Sequence, residues 1–484
     1  MRIRTLGPKS SYRAAKNLFE KHPSAEWLIP LVFCFMLLAQ VLFSVQQMSE
    51  QADESTHLYA GYRLLKCGDY AFGQEHPPLA KVLSAVPLLW SNPPMNCSPL
   101  ADAVDGSDYA TQWLYSQDNW WHLLMQARIA ASFFSMILCV TVWIVARRMF
   151  GLAVALVSMV ILVFEPNTLS QGALVLNNVP LAGLFFLAIF CFYVWSRRRS
   201  VPLLLTTGFL AGLALLTKHS AVLLIAVFAL LAVVEPWLEK SGNRESASRA
   251  LGNITGVVAI VAIAAATIWI GYGIRHTGEP PPRSDSMAER PVPSANTAGV
   301  RILQGARSAH LLPQPYLGGL IDIHGLITDG VDAPILGRNY SEAPWYFYLL
   351  TMVIKFSLAF LAMLIIGGAG IIVMGREHQT ETMFLLLPAL IYVAASMLVR
   401  RTSGIWHLLP MFPFLVIAAA AGCVHLARRY RWGGAVLVCL LVLHAASSLH
   451  SFPNYLSYAN EAWGGHRIST SVCHGPIWVN RTGR

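Results

Sequence analysis

Residues 27–46 read WLIPLVFCFMLLAQVLFSVQ, a run without a single charged side chain. As a helix, about 20 apolar residues cross a bilayer core of about 30 Å. Further runs follow at roughly 122–146, 151–164, 179–195, 201–217, 220–237, 251–274, 346–374, 382–399, 404–427 and 433–449. Of the 484 residues 55% are hydrophobic and 12% charged, against about 25% charged in an ordinary soluble domain. Soluble cores cannot hide that much apolar surface. The sequence predicts an all-α polytopic membrane protein with about eleven transmembrane helices.

The net charge of +10 does not point to nucleic acid. Lys and Arg gather in short clusters between the apolar runs, as topology signals do, and no basic stripe with interleaved aromatics is present. Arg2, Arg4, Lys9, Arg13, Lys16 and Lys21 place segment 1–26 in the cytoplasm. Arg147-Arg148, Arg197 to Arg199, Lys240, Arg244, Arg249, Arg376 and Arg428-Arg429 then fall on alternate connections, as this orientation requires. The first run is too long for a signal peptide, and no small-residue cleavage site follows it. The transmembrane domain covers 27–449, with extracytoplasmic loops at 47–121 and 275–345 and an extracytoplasmic tail at 450–484. Lys218-His219 interrupts the stretch 201–237, as a tight hairpin or as one broken span. No internal repeat of the transporter kind is visible.

The first loop opens on Asp53-Glu54. Leu58, Tyr62 and Leu65 follow at helical spacing, and Cys67-Gly68-Asp69-Tyr70 ends the segment. Gln74-Glu75-His76-Pro77-Pro78 then starts a second helix, with proline in a first turn where its missing N–H costs nothing. Leu79, Val82, Leu83, Val86 and Leu89 form its apolar stripe. Two interfacial helices with carboxylates at the bilayer surface are expected. Asp53-Glu54 reads either as a helix cap, where acids are favoured, or as a site; Glu75, Asp69 and a loop too long for a connector favour the site. The eight cysteines form no metal motif. Cys67 and Cys97 share this loop, and their pairing depends on the compartment.

The stretch DESTHLYAGYRLLKCGDYAFGQEHPPLAKVL (53–83) resembles the first-loop signature of the protein O-mannosyltransferase family and its bacterial relatives in the GT-C superfamily, which includes the aminoarabinose transferase of lipid A. GLALLTKHSA (212–221), APWYFYLLTMVIKFSL (343–358), SGIWHLLPMFPFL (403–415) and FPNYLSYANEAWGG (452–465) follow in the family's order. The resemblance implies a GT-C bundle and an inverting glycosyltransferase. The donor is a polyprenyl-phosphate-linked sugar, the acceptor a hydroxyl on protein, lipid or glycan, and the setting the plasma (inner) membrane. It implies that Asp53 is the general base, assisted by Glu54 through hydrogen bonding or acceptor positioning. Glu75 falls where some relatives carry an acid that contacts a metal or the donor. Glu75 and His76 alone do not complete a metal site, so a divalent metal is the one cofactor left open, and His76 also reads as a structural His-Pro turn.

A departing phosphate needs positive charge. Lys355 lies inside the eighth run, where an ionisable residue is a functional candidate or a snorkelling one. Arg400-Arg401 run against the positive-inside trend and, with His407 in the GIWHLLP segment, are donor-site candidates. Lys218 and His219 are placed to close the site, and Arg128 is a weaker candidate. Tyr340, Trp345, Tyr346, Phe347 and Tyr348 read as an interfacial belt or as a sugar-stacking surface. After Gly465 the tail departs from the family, which puts a truncated or non-catalytic homologue beside the enzyme. A transporter of lipid-linked sugars is the remaining alternative, with midplane contacts and no need of an acidic loop.

Overall fold

The computed structural model describes residues 26–51, 53–98, 106–238, 242–277, 298–328, 333–335, 338–399 and 404–464. The cytoplasmic segment 1–25, the proline cluster at 280–293, Arg400, Arg401 and the divergent tail from 465 lie outside them.

The chain enters as α1 (Leu28–Val45) and runs through α2 (Glu54–Cys67), α3 (Pro78–Ala85) and α4 (Gly106–Tyr115) of the first loop. It returns as α5 (Trp120–Phe150), then α6 (Leu152–Val163), α7 (Pro166–Gln171), α8 (Asn178–Arg198) and α9 (Val201–Leu215). Next come α10 (His219–Leu238) and α11 (Asn243–Gly271). The second loop holds α12 (Ala298–Ser308), α13 (Gln314–Thr328) and a small antiparallel hairpin of β1 (Ala333–Ile335) and β2 (Arg338–Tyr340). The chain closes with α14 (Phe347–Lys355), α15 (Leu358–Met374), α16 (Gln379–Met397), α17 (Ile405–Arg429) and α18 (Gly433–His450). Among the described residues, 8 helices are long and apolar enough to cross a membrane: α1, α5, α8, α10, α11, α16, α17 and α18. Helices α6 and α9 are shorter apolar helices. Within its most apolar window α17 is 89% buried and α18 only 17%, so α17 is central and α18 peripheral.

The interruption at Lys218-His219 is a hairpin. Gly208 and Gly212 of α9 meet Ile263 and Thr267 of α11, so these two helices run parallel. Asn253 Nδ2 donates to Ala232 O, and Ser246 Oγ to Pro236 O, so α10 and α11 run antiparallel. Lys218 therefore sits at the hairpin tip, on the same side as the first loop; this side is called the loop face below.

The run 346–374 is not one continuous helix but a bent pair, a broken span or a re-entrant loop. Helices α14 and α15 meet at a bend of 113°. A break leaves backbone groups that a membrane interior cannot satisfy, so protein must satisfy them. Asn460 does: its Nδ2 donates to Val353 O at 2.6 Å and Phe356 O at 2.9 Å, and its N–H to Ile354 O at 2.9 Å. Ser357 Oγ accepts from Phe360 N at 3.1 Å and starts α15. The FPNYLSYANEAWGG segment thus plugs the break.

In the first loop, Leu58, Tyr59 and Tyr62 of α2 pack with Trp113 and Leu114 of α4 and with Leu123, Leu124 and Ala127 of α5. Helix α3 turns its small face, Ala80, Ser84 and Ala85, inward and leaves Leu83 exposed, as is Leu89 beyond its end. Cys67 and Cys97 form a disulfide. Closing a loop with a sequence separation of 30 restricts the unfolded chain by about 3–4 kcal/mol in the chain-entropy view. Gly61 makes the close approach of α2 and α3: a Cβ there would sit on Lys81 O. Gly61→Val is expected to destabilise the loop by about 1–3 kcal/mol through overpacking. The check is the thermal midpoint of detergent-purified protein, and an unchanged midpoint would contradict the packing described.

Candidate active site

Asp53 is the N-cap of α2, yet its side chain makes no capping hydrogen bond and the residue is exposed. Its backbone carbonyl accepts from His57 N at 3.0 Å, which fixes where the carboxylate leaves the helix. Glu54, one residue on, is fully buried and does the opposite job. Its Oε1 accepts from Arg128 Nε at 3.0 Å and Val175 N at 3.0 Å. Its Oε2 accepts from Arg128 Nη2 at 2.6 Å and Gln51 N at 3.0 Å. A carboxylate offers about four lone-pair sites, and protein donors occupy that number. Glu54 is therefore held as an anchor.

Arg128 is spent in the same way. Besides Glu54, its Nη1 donates to Val45 O at 2.8 Å and Met48 O at 3.0 Å, and its Nη2 to Ser49 O at 2.9 Å. Guanidinium carries five N–H donors, all used here, so the suggestion that Arg128 binds phosphate is corrected. Buried at 0% exposure, the pair ties the end of α1, the start of α2, α5 and the strip before α8 into one unit.

That strip also holds His57, whose Nδ1 lies 3.0 Å from Val175 O. Burial pushes the His57 imidazole down to about 3, so the ring is neutral and Nδ1–H donates to the carbonyl. The His76 ring meets it edge-on, with centroids 5.3 Å apart. Burial, followed by the positive neighbours around it, holds His76 well below its ordinary value.

The Gln74-Glu75-His76 turn is clamped from two sides. Lys81 Nζ donates to Gly73 O at 2.6 Å and His76 O at 2.5 Å. From the hairpin, His219 Nε2 lies 3.5 Å from Gln74 O, and Leu79 N donates to Leu216 O at 2.9 Å. Burial pushes Lys81 down to about 8, and Glu75 partly restores it. Lys218 Nζ donates to Asn178 Oδ1 at 2.7 Å, and burial pushes that ammonium down to about 8 against the pull of Asp53. Asp53, Glu75, His76, Lys218 and His219 are thus one neighbourhood. Among the described residues no group of three or more His, Cys, Asp or Glu side chains could hold a metal ion.

Lys355 belongs to a second polar cluster, at the α14–α15 break. Its Nζ donates to Tyr458 O at 2.7 Å, and its carbonyl accepts from Asn167 Nδ2 at 2.8 Å. His407 lies in the first turns of α17 and is half-buried. The sequence reading missed Lys81, Asn177, Asn178 and Asn460. A signal existed for two of them: the polar string from Glu165 to Asn178 separates two apolar runs and is too rich in amides for a connector.

The family model of dolichyl-phosphate-mannose-protein mannosyltransferase matches residues 69–270. Two solved structures of ArnT from Cupriavidus metallidurans share the fold. The apo form superposes with a TM-score of 0.53 at 16% identity, over 89% of this chain and 66% of that one. The form bound to undecaprenyl phosphate gives 0.55 at 17%, over 88% and 65%. The chain has the fold of these two structures over most of its length, and its residues 69–270 match the mannosyltransferase family model. It spans just under two thirds of the length of the ArnT chains. No curated protein matches it. The family match begins at Asp69, so the roles of Asp53 and Glu54 rest on the geometry above and on the first-loop resemblance.

Arg128→Met leaves a buried carboxylate without its cation, a change that costs about 3–5 kcal/mol. The thermal midpoint should drop sharply, and Glu54→Gln added to it should recover part of the loss. Equal midpoints for wild type and Arg128→Met would contradict the anchor role.

Proposed function

We propose that this chain is an inverting glycosyltransferase that moves a sugar from a polyprenyl-phosphate donor to a hydroxyl acceptor. The observation that carries the reading is the division of labour in Asp53-Glu54. One carboxylate is buried and saturated, and its neighbour is exposed and within electrostatic reach of Lys218. In the reaction the acceptor oxygen bonds to the sugar C1 as the C1–O bond to phosphate breaks. Asp53 takes the acceptor proton, and the departing phosphate carries away the electron pair. A positioned base contributes about 10² to 10⁴ in rate, and a fixed cation near the leaving oxygen offsets its growing charge. Lys218 supplies that cation beside Asp53. Lys355 and the Arg400-Arg401 pair remain the further candidates for the donor's phosphate, with Glu75, His76 and His407 as donor-side groups.

The loop face is the extracytoplasmic face in this reading, and the membrane is the plasma (inner) membrane. Basic residues cluster on the opposite connections, and the Cys67–Cys97 disulfide suits an oxidising compartment. Asp53→Asn is expected to lower sugar transfer from polyprenyl-phosphate sugars by about 10² to 10⁴, with thermal midpoint and expression unchanged because the residue is exposed. Transfer by the variant within threefold of wild type would remove Asp53 as the base. No release by wild type from any donor in a broad panel would count against the enzyme itself.

A further inference from the structure

Just past the end of α11 the second loop is fastened by three aromatic rings. The His276 ring lies 6.3 Å from that of Trp269 and 4.1 Å from that of His310, centroid to centroid. Helix α12 ends where His310 takes a left-handed backbone, with φ 52° and Leu311 N donating to Ala306 O at 3.0 Å. That turn carries the His310 ring onto His276. Trp269 Nε1 donates to Leu311 O at 3.1 Å, and Gln314 N to His276 O at 2.8 Å. Helix α13 starts from these contacts and covers the candidate site. Tyr316, 2% exposed, sets its ring 4.9 Å from that of His219. A Cβ on Gly319 would strike Gln74 O, so α13 rests on the turn that Lys81 and His219 clamp.

The fastening suits neutral rings. His276 Nδ1 is buried without a hydrogen-bond partner. A neutral imidazole can leave that nitrogen as a bare lone pair, whereas an imidazolium is a donor at both nitrogens. A buried donor without an acceptor is costly. A charge on His310 would face a charge on His276 across 4.1 Å, and Arg307 in the last turn of α12 adds to the positive side. Burial, followed by His310 and Arg307, holds the His276 imidazole below its ordinary value. The other charged or titratable neighbours bring no relief. Arg301 lies earlier on α12, and Arg275 donates to Gly68 O at 3.4 Å. The first loop brings Tyr70, packed on Tyr272, and Asp69, whose Oδ2 accepts from Arg63 Nε at 2.5 Å. Asp322 and His324 lie in the later turns of α13. Trp269 sits beyond the reach of about 6 Å within which a ring face attracts a cation.

We infer that His276 and His310 form a pH-sensitive latch. The α12–α13 turn stays fastened over the candidate site while both rings are neutral, and comes loose as they take up protons. The latch rests on this geometry alone; that loosening slows sugar transfer rests on the proposed function. In the released loop a free imidazole titrates at about 6.5, and the docked His276 binds a proton less readily. Fastening is therefore complete above that pH and weakens as pH falls through it.

The test is hydrogen exchange of the full chain in lipid nanodiscs, read by mass spectrometry on peptides covering 309–321 and corrected for the intrinsic pH dependence of exchange. One imidazole that titrates only in the released loop shifts the opening equilibrium by up to about tenfold between about pH 7.5 and 5.5. Wild-type exchange in these peptides is expected to quicken by about three- to tenfold over that range, while peptides of α17 stay level. His276→Phe keeps a ring in the stack with no proton to take up, so its loop should stay protected at both pH values. His310→Asn keeps a residue that tolerates the left-handed turn and should respond less than wild type. A wild-type loop that exchanges alike at both pH values overturns the latch, as does a His276→Phe protein that still loosens at the lower one. The enzyme and the latch fail separately. A wild type that shows the response but transfers no sugar at either pH removes the enzyme and leaves the latch. A wild type that transfers sugar beneath a loop indifferent to pH removes the latch and leaves the enzyme.

Discussion

The buried Glu54–Arg128 pair is the constraint on which the loop face is built. A bidentate guanidinium–carboxylate contact fixes two planes against each other, and here both partners have further bonds to backbone. The carbonyls of Val45, Met48 and Ser49 terminate α1 on Arg128, and Val175 N–H ends the α7–α8 strip on Glu54. Apolar side chains packed in a bilayer could slide by fractions of a turn at little cost. A saturated ion pair with 0% exposure cannot move without stranding a charge. Asp53 is carried on this fixed point, one residue away, and so has a defined place at the start of α2.

The same logic recurs wherever the chain leaves regular helix near the apolar layer. Asn460 receives the carbonyls freed at the α14–α15 bend, and His444 bridges Ser357 Oγ at 2.7 Å and Ile161 O at 3.0 Å. Lys81 gathers the carbonyls of the Glu75-His76 turn. Each device serves a neighbouring element more than its own. The result is a rigid floor under the first loop, with the hairpin tip at Lys218 and the start of α8 as its polar rim. Cations collect on that rim, and carboxylates border it.

Apolar length alone made the span set legible, because a bilayer rewards it directly. The break in 346–374 was hidden: Asn460, which satisfies its carbonyls, lies 107 residues from Val353. Ser357 was a local hint of a helix start, yet a serine inside an apolar run is common. The helix starts at Glu54 and at Pro78 followed from local patterns. The anchor role of Glu54 did not, since its partner is 74 residues away and reads locally as a cation near a span end. Nothing local singled out Lys81; the close packing of α2 and α3 at Gly61 leaves it buried. The Lys218-His219 interruption was visible, but its sense as a hairpin came from glycines meeting Ile263 and Thr267.

A cryo-EM map of the full chain with a bound polyprenyl-phosphate sugar tests the central claim most directly. The account predicts phosphate density within about 3 Å of Lys218 Nζ, a hydrogen-bond distance. It also predicts that Asp53 faces the sugar C1 and that Glu54 and Arg128 stay paired as they are without ligand. Phosphate seated elsewhere, or a Glu54–Arg128 pair opened to meet the substrate, would contradict it.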